Sequence, residues 1–309
     1  YYLKPPIPFM VNSLFDCNEF RVNRAEKADY AHLAQRPTSI KSAYSSKEHY
    51  QMLLLETQQG IGQLQEMLYA YNRYAVLLIF QGMDSAGKGS VIKHVMSGIN
   101  PQGCQVFSFQ QPSVEELDHD FLWRSNKRLP ERGRIGIFDR SYYEEVITVR
   151  AMPCLLEQQH LPPECVDLNN IWAERLHDIL HLESYLHRNG IQIIKFFLHL
   201  SKEEQRQRLM ARIDEPSKNW KIGQADLEAR KHWEAYQLAY DECLGATSTH
   251  HAPWYVIPAD DKRNARLLVS HIIVKTLQAL KMTYPILSKD QLKELAAIKQ
   301  SLENEKAPN

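Results

Sequence analysis

No run of the roughly 18 apolar residues that a bilayer span requires occurs in this 309-residue chain, so it offers no candidate for a membrane-crossing helix. Its beginning, with Pro5, Pro6 and Pro8, lacks the charge-then-apolar order of a signal peptide, and a first residue other than Met points to residues upstream. An excess of charge is missing too. Lys plus Arg and Asp plus Glu both number 37, so no overall positive field exists to draw in nucleic acid or an anionic membrane. A polyanion would have to be met by a local basic channel. Cysteine is sparse: Cys17, Cys104, Cys154, Cys165 and Cys243 are odd in number and contain no C-x-x-C pair. That argues for reduced thiols and a cytoplasmic setting, against a disulfide framework or a structural zinc site. No internal repeat or low-complexity tract is visible.

What is present is an alternation of short apolar runs with helical patterns, the mark of a mostly parallel sheet with crossover helices. At about 150 residues per domain the length allows one large domain or two small ones, and the pattern favours one domain with appendages. Residues 1–45 read as an N-terminal arm lying over a surface, either of the same chain or of a partner subunit. Residues 46–72 carry Met52, Leu53, Leu55, Ile61, Leu64, Met67 and Leu68 at helical spacing, with Gly60 and Gly62 weakening the middle. Strands are expected at Tyr74 to Gln81, Cys104 to Phe109, Arg134 to Asp139, Ile191 to His199 and Trp254 to Pro258. Helices are expected at Lys88 to Ile99, Val114 to Arg128, Tyr142 to Arg150, about Asn169 to Arg188, Lys202 to Arg212, Asp226 to Leu244 and Asp261 to Leu280. Ser113 with Glu116, and Ser201 with Glu204, have the spacing of capping boxes. The charged tail from residue 286 reads as a peripheral helix that frays towards Asn309.

The first strand runs into Gly82-Met-Asp-Ser-Ala-Gly-Lys-Gly-Ser90, a phosphate-binding loop between a buried strand and a helix. Gly82 and Gly87 let the backbone of Met83, Ser85 and Ala86 wrap with N–H groups inward, Lys88 adds a positive charge, and the helix N-terminus faces an anion. Two features depart from the usual pattern. Gly89 stands where a Ser or Thr normally holds a metal ion, Ser90 comes one place late, and Asp84 puts a carboxylate inside the loop. An acid there makes sense if it works through a bound divalent cation. The third strand ends in Asp139, a Walker B position, followed by Arg140, whose planar fork suits phosphate oxygens. After the fourth strand, Arg208 and Arg212 share a helical face, and Lys218 and Lys221 flank Trp220. The stretch of about 201–224 reads as a basic lid that closes over phosphates and excludes water.

These segments, with Asn100-Pro-Gln-Gly103, Phe121-Leu-Trp-Arg124, Phe138-Asp-Arg-Ser-Tyr-Tyr-Glu144, Lys195-Phe-Phe-Leu-His199, Lys218-Asn-Trp-Lys221 and Ala252 through Lys262, resemble the second polyphosphate kinase family in order over about residues 46–285. The resemblance implies a thymidylate-kinase-like P-loop fold: a three-layer α/β/α domain with a five-stranded, mostly parallel sheet and a helical lid. It implies Mg²⁺-dependent, reversible phosphoryl transfer between inorganic polyphosphate and a purine nucleotide, by a homo-oligomer, dimer or tetramer. Asp84 and Asp139 match the metal positions, Lys88 the loop lysine, Arg140 the Walker B arginine, and Glu144 an acid completing the site. Arg208, Arg212 and Lys218 fall in the lid, with Lys93 and Arg124 assigned to the polyphosphate channel. Tyr142-Tyr-Glu-Glu145 and the lid motif look most like the subgroup that phosphorylates both nucleoside mono- and diphosphates. Asp139 stands where that subgroup commonly has Asn, and Gly89-Ser90 where it has Asp-Gly.

Blander readings compete at several positions. Asp139 also suits a helix N-cap, and arginines four apart also make an ordinary solvated face. His177 and His181 imitate a zinc helix, but Asp178 is short for the general base and no third ligand is placed. Trp172, Trp233 and Tyr236 read as helix packing. Two other functions fit the same loop: an ATP-dependent nucleoside or nucleotide kinase, and a non-catalytic P-loop protein that senses nucleotide or polyphosphate.

Overall fold

The apolar runs assemble into one five-stranded, wholly parallel sheet. The computed structural model describes residues 14–23 and 30–305; the prolines at 5, 6 and 8 and the end of the tail towards Asn309 lie outside these. The strands are β1 (Ala75–Gln81), β2 (Cys104–Ser108), β3 (Ile135–Asp139), β4 (Ile191–His199) and β5 (Trp254–Pro258), in spatial order β2-β3-β1-β4-β5. The helices, in chain order, are α1 (Cys17–Phe20), α2 (Lys47–Tyr71), α3 (Lys88–Val95), α4 (Val114–Leu117), α5 (Trp123–Asn126), α6 (Glu144–Ala151), α7 (Ile171–Arg188), α8 (Lys202–Asp214), α9 (Gln224–Lys231), α10 (Trp233–Thr247), α11 (Lys262–Ala279) and α12 (Lys289–Asn304).

β1 is central because every one of its residues is buried and both its faces are apolar. Val76, Leu78 and Phe80 enter one core layer with α2, α3 and α11. Leu77 and Ile79 enter the other, with α6, α7 and α10. Each such side chain contributes roughly 1.5–3 kcal/mol on burial, and a slip of one residue would exchange the two layers, so the register is strongly held. In that register Phe80 lies beside Asp139 of β3, and Gln81 beside Phe197 of β4. The chain leaves central β1 for β2 and β3 on one side and for β4 and β5 on the other. A crevice therefore opens at the carboxyl ends of the strands, where ligands of such sheets bind.

The described part of the arm lies on its own chain. The N–H of Val22 donates to Trp254 O, that of Ala31 to Asp241 O, and that of Asp260 to Thr38 O, while Phe15 and Phe20 join the first core layer. The expected helix at 46–72 runs unbroken from Lys47 to Tyr71 behind a Ser46 N-cap, and Asn72 closes it in the left-handed conformation.

Three expected helices are shorter or divided. The helix after the phosphate loop stops at Val95, ahead of Gly98 at φ +82°. The expected Val114 to Arg128 helix is two short pieces, α4 and α5, because Asp120 turns its carboxylate to the N–H of Leu122 and so competes with helix continuation. The expected Asp226 to Leu244 helix breaks at His232, which leaves α9 with the lid and buries Trp233, Tyr236 and Tyr240 of α10 in the core. Ser113 and Glu116 form a complete capping box. Ser201 caps the N–H of Glu204, but its own N–H donates to Asp260, and Glu204 holds Arg208 instead. α12 buries no residue, and Leu292, Leu295, Ile298 and Leu302 along it are 48–60 % exposed.

Candidate active site

The loop from β1 to α3 needs glycine first at Gly82, which has φ +151°; a Cβ there would stand 2.9 Å from Leu198 O. Ser85, at φ +67°, and Gly87, at φ +102°, continue the left-handed wrap. α3 then begins at Lys88 with no side-chain cap, so its first N–H groups and the positive end of its dipole face the crevice. The Lys88 ammonium is buried and folds back to donate to Gly82 O at 2.6 Å. Burial and then Arg140 lower its pKa, against the opposing pull of Asp84, Asp139 and Glu144. The Ser85 hydroxyl is buried with no partner among the described residues, as a group waiting for a ligand would be.

Arg140, at φ +63°, sits just past the end of β3 and anchors its N–H on Phe80 O at 3.0 Å. Its guanidinium donates to Asp84 Oδ1 at 2.5 Å, and its Nε lies 4.0 Å from Glu144 Oε1. Burial alone would lower its pKa, but Glu144 and Asp84 outweigh it and raise the value. Glu144 is itself held by Gln81 at 3.1 Å and by Thr148 at 2.7 Å.

Behind this segment lies a dry ion pair. Lys195 of β4 and Glu183 of α7 are fully buried and 2.5 Å apart. Lys195 also donates to Tyr143 Oη and Thr247 O, both at 2.9 Å, while Tyr142 and Tyr143 both donate to Glu183 Oε1, at 2.9 and 2.8 Å. The two tyrosines between Arg140 and Glu144 are thus pinned from behind. A lysine in the middle of an apolar strand was the sequence signal for this network, because a buried charge requires a partner.

Three hollows meet at the loop. The central one, about 590 Å³, is lined by Asp84, Ser85, Lys88, Gly89, Ser90, Asp139 and Arg140. On one side it shares Asp84, Arg140, Gln110 and Gln111 with a hollow of about 340 Å³ walled by Met83, Phe109, Val149, Met152, Tyr236 and Tyr240. On the other it shares Ser85, Gly87, Gly89, Ser90, Arg212 and Lys221 with a basic channel of about 680 Å³, also lined by Lys93, Lys218, Lys262 and Arg266. Lys262 and Arg266 are not among the expected site residues; of the two, Lys262 lies within a motif that carries the resemblance.

One expected channel residue, Arg124, is placed differently, and one expected lid residue, Arg208, is more deeply buried than its neighbour. Arg124 lies buried against the apolar hollow, not in the channel that Lys93 lines; it donates to Gln110 O at 2.8 Å and lies 3.5 Å from Glu145. Arg208 lines the channel beside Arg212 but is not partly exposed as Arg212 is. It is buried, and its nitrogens are taken up by Glu204 and by the carbonyls of Ser85, Ala86, Ala259 and Asp260. Arg212 stays in the lid, where it donates to Lys221 O at 3.3 Å. The lid ends in an exposed Trp220, with Lys218 paired to Glu215.

The chemistry of the donors suits a hard divalent cation. Asp84 and Asp139 line the same hollow, and a Cβ on Gly89 would lie 3.5 Å from Asp139 Oδ2, so the absent side chain leaves room before that carboxylate. The Ser90 hydroxyl does not replace it; it accepts from Arg266 at 3.0 Å on the channel side.

The family profile described as polyphosphate kinase 2 matches residues 44–285. The chain belongs to the polyphosphate kinase 2 family. It is 55% identical over 284 residues to an ADP-polyphosphate phosphotransferase of Rhodopseudomonas palustris, covering 92% of this chain and 97% of that one. It is 45% identical over 222 residues to an AMP/ADP-polyphosphate phosphotransferase of Meiothermus ruber, covering 72% and 79%. Among solved structures, polyphosphate kinase 2 from Arthrobacter aurescens superposes with a TM-score of 0.80 at 35% identity, covering 91% of this chain and 95% of that one. The fold is accordingly that of the P-loop kinases of this family.

In this polyphosphate kinase, Lys195→Met would strand the Glu183 carboxylate in the core and should cost about 3–5 kcal/mol of stability. Tyr143→Phe leaves the ion pair in place but removes two hydrogen bonds, the one donated to Glu183 and the one accepted from Lys195, and should cost less, about 1–3 kcal/mol. Urea denaturation of the two variants checks the order, and equal losses would contradict it.

Proposed function

We propose that the chain is an enzyme that moves a phosphoryl group reversibly between inorganic polyphosphate and a nucleotide, with the acceptor in the apolar hollow and the donor in the basic channel. The observation that carries this is the meeting of two unlike hollows at one phosphate loop: an aromatic and aliphatic wall suits a nucleoside, and a lysine- and arginine-lined channel suits a polyanion. Transfer then needs the two phosphates held end to end across the loop, where positioning and charge neutralisation supply most of the catalysis. Lys88 and Arg140 neutralise the transferring group, Arg212 and Lys218 close over the donor, and the N–H groups from Met83 to Ser90 hold phosphate oxygens. Arg140 spends the resting state paired to Asp84, so an incoming phosphate competes for the guanidinium. Mg²⁺ held by Asp84 and Asp139 would supply further charge neutralisation. Glu144, fixed by Gln81 and Thr148, keeps Arg140 aimed into the cleft.

ADP and GDP are the acceptors, and AMP and GMP as well; the names of the relatives support the adenine part of this range. The exposed apolar stripe of α12 supports assembly as a dimer or tetramer. The free thiols and zero net charge support a cytoplasmic setting without nucleic-acid or membrane partners.

Incubation with ADP or AMP, Mg²⁺ and polyphosphate should yield ATP. A preparation that transfers from ATP to a nucleoside and not from polyphosphate would be a conventional kinase, and one that binds without turnover a sensor. Lys88→Ala should lower kcat about 100- to 1000-fold, the scale of losing one preorganised donor at a developing charge.

The channel also sets a pH dependence. Partial desolvation, then Arg208, with Arg266 and Lys218 behind, lower the pKa of Lys262 against the pull of Glu204. A bound polyanion favours the ammonium, so above that depressed pKa binding must take up a proton, and the KM for polyphosphate should rise as pH rises through it. Lys262→Arg, which stays charged, should flatten the rise; an unchanged profile would remove Lys262 from the donor site.

A further inference from the structure

The inward face of α8 grips the phosphate loop by its carbonyl oxygens. Gln205 is fully buried and donates Nε2 to Asp84 O at 3.0 Å. Arg208 donates Nη1 to Ser85 O at 3.2 Å and Ala86 O at 2.9 Å, and Nη2 to Ala259 O at 2.6 Å and Asp260 O at 3.0 Å just past β5. Three successive loop carbonyls are therefore held by two side chains one helical turn apart.

The consequence follows from peptide geometry. In a trans peptide the C=O of one residue points opposite to the N–H of the next. Drawing the carbonyls of Asp84 and Ala86 towards α8 turns the N–H groups of Ser85 and Gly87 into the cleft, and neither donates to a protein acceptor among the described residues. The middle peptide closes the turn, with the Ala86 N–H donating to Met83 O at 3.0 Å. Ser85 is held at φ +67°, a conformation that a residue with a Cβ adopts only against resistance. Its carbonyl is one of the two loop carbonyls that Arg208 holds.

A third residue sets the direction of this grip. Arg230 of α9, on the return limb of the lid, donates Nη1 to Gln205 Oε1 at 2.9 Å and to Lys202 O at 2.8 Å. With its oxygen committed to a guanidinium, the Gln205 amide can present only its NH₂ to the loop. Arg230 lines none of the three hollows.

We infer that Gln205 and Arg208 are positioning residues that hold the loop in its anion-binding form, with Arg230 orienting Gln205, so that the base of the lid and the phosphate site are one mechanical unit. Arg208 also lines the basic channel, but its nitrogens are spent on Glu204 and four carbonyls, so it acts through the loop backbone and not as a polyphosphate ligand. The inference rests on the loop being the phosphate site proposed above. Its test reads ADP binding before any transfer, so absence of polyphosphate turnover in the wild type would sink the proposed function and leave this test standing.

The experiment compares full-length wild type, Gln205→Met, Arg230→Met, Arg230→Lys, Arg208→Lys and Arg212→Ala. It uses calorimetric titration with ADP and Mg²⁺, steady-state kinetics in ADP and polyphosphate, and a melting curve for each. Losing one buried hydrogen bond at the loop corresponds to about tenfold in affinity. Gln205→Met and Arg230→Met should weaken ADP binding by about that factor and lower kcat, with the KM for polyphosphate rising no more than that for ADP. Arg230→Lys, which keeps a donor, should recover most of the loss, and Arg212→Ala should raise the polyphosphate KM selectively. If Arg208→Lys fails to fold, the near-isosteric Gln205→Met and the distant Arg230→Met carry the decision. Wild-type ADP affinity in folded Gln205→Met and Arg230→Met would overturn the inference. So would an Arg208→Lys variant in which only the polyphosphate KM rises.

Discussion

A backbone that must present its N–H groups to an anion has to be held in that shape by something else, and most of this structure serves that requirement. The loop between β1 and α3 contains left-handed residues, among them a serine, and its own Lys88 reaches back to the carbonyl at its start, which leaves the middle of the loop to be held by others. Its support comes from outside: central β1, buried on both faces, fixes where the loop begins, and α8 fixes its carbonyls. The cleft is therefore only as well formed as the packing of the sheet and of the lid base behind it.

The same division recurs on the other wall. Arg140 and Glu144 point into the cleft, but the residues between them, Tyr142 and Tyr143, are tied to the dry Glu183–Lys195 pair. Such a pair is a weak source of net stability, since desolvation offsets most of its attraction, though breaking it by removing one partner is costly. Its geometric effect is clearer. It joins β4, α7 and the turn after β3 at one point, so the guanidinium of Arg140 is aimed from a rigid base.

Charge is organised by place and not by total. The chain has no net charge, yet Lys93, Lys218, Lys221, Lys262 and Arg266 gather along one hollow while the neighbouring hollow is walled by aromatic and aliphatic side chains. In the centre, Arg140 with Asp84 and Lys88 with Gly82 O are paired internally, which keeps buried charges satisfied until phosphate arrives.

Much of this was legible in the residues. The five strands begin and end within one residue of the expected runs: β1, β3, β4 and β5 are mostly buried on both faces and so must be largely apolar, while β2 is a half-exposed edge strand. The loop, Asp139 and Arg140 follow from their place at strand ends. Spacing put Arg208 and Arg212 along one channel but could not tell their burial: contact with the loop and the end of β5 turns the first inward and leaves the second in the lid. Arg124 and Lys93 are both basic residues near the loop, and only the course of the chain puts them in different hollows. The helix break near Asp120 lay in an amphipathic stretch whose periodicity does not register a local side-chain bond, and the break at His232 falls where α9 goes with the lid and α10 with the core. By itself the sequence determined the sheet, the phosphate loop, the acidic positions and the family, since these depend on local pattern and on short motifs of fixed order. Tertiary structure alone decided which arginine stays in the lid and which holds the backbone, because a guanidinium takes its role from the acceptors that long-range packing brings within reach.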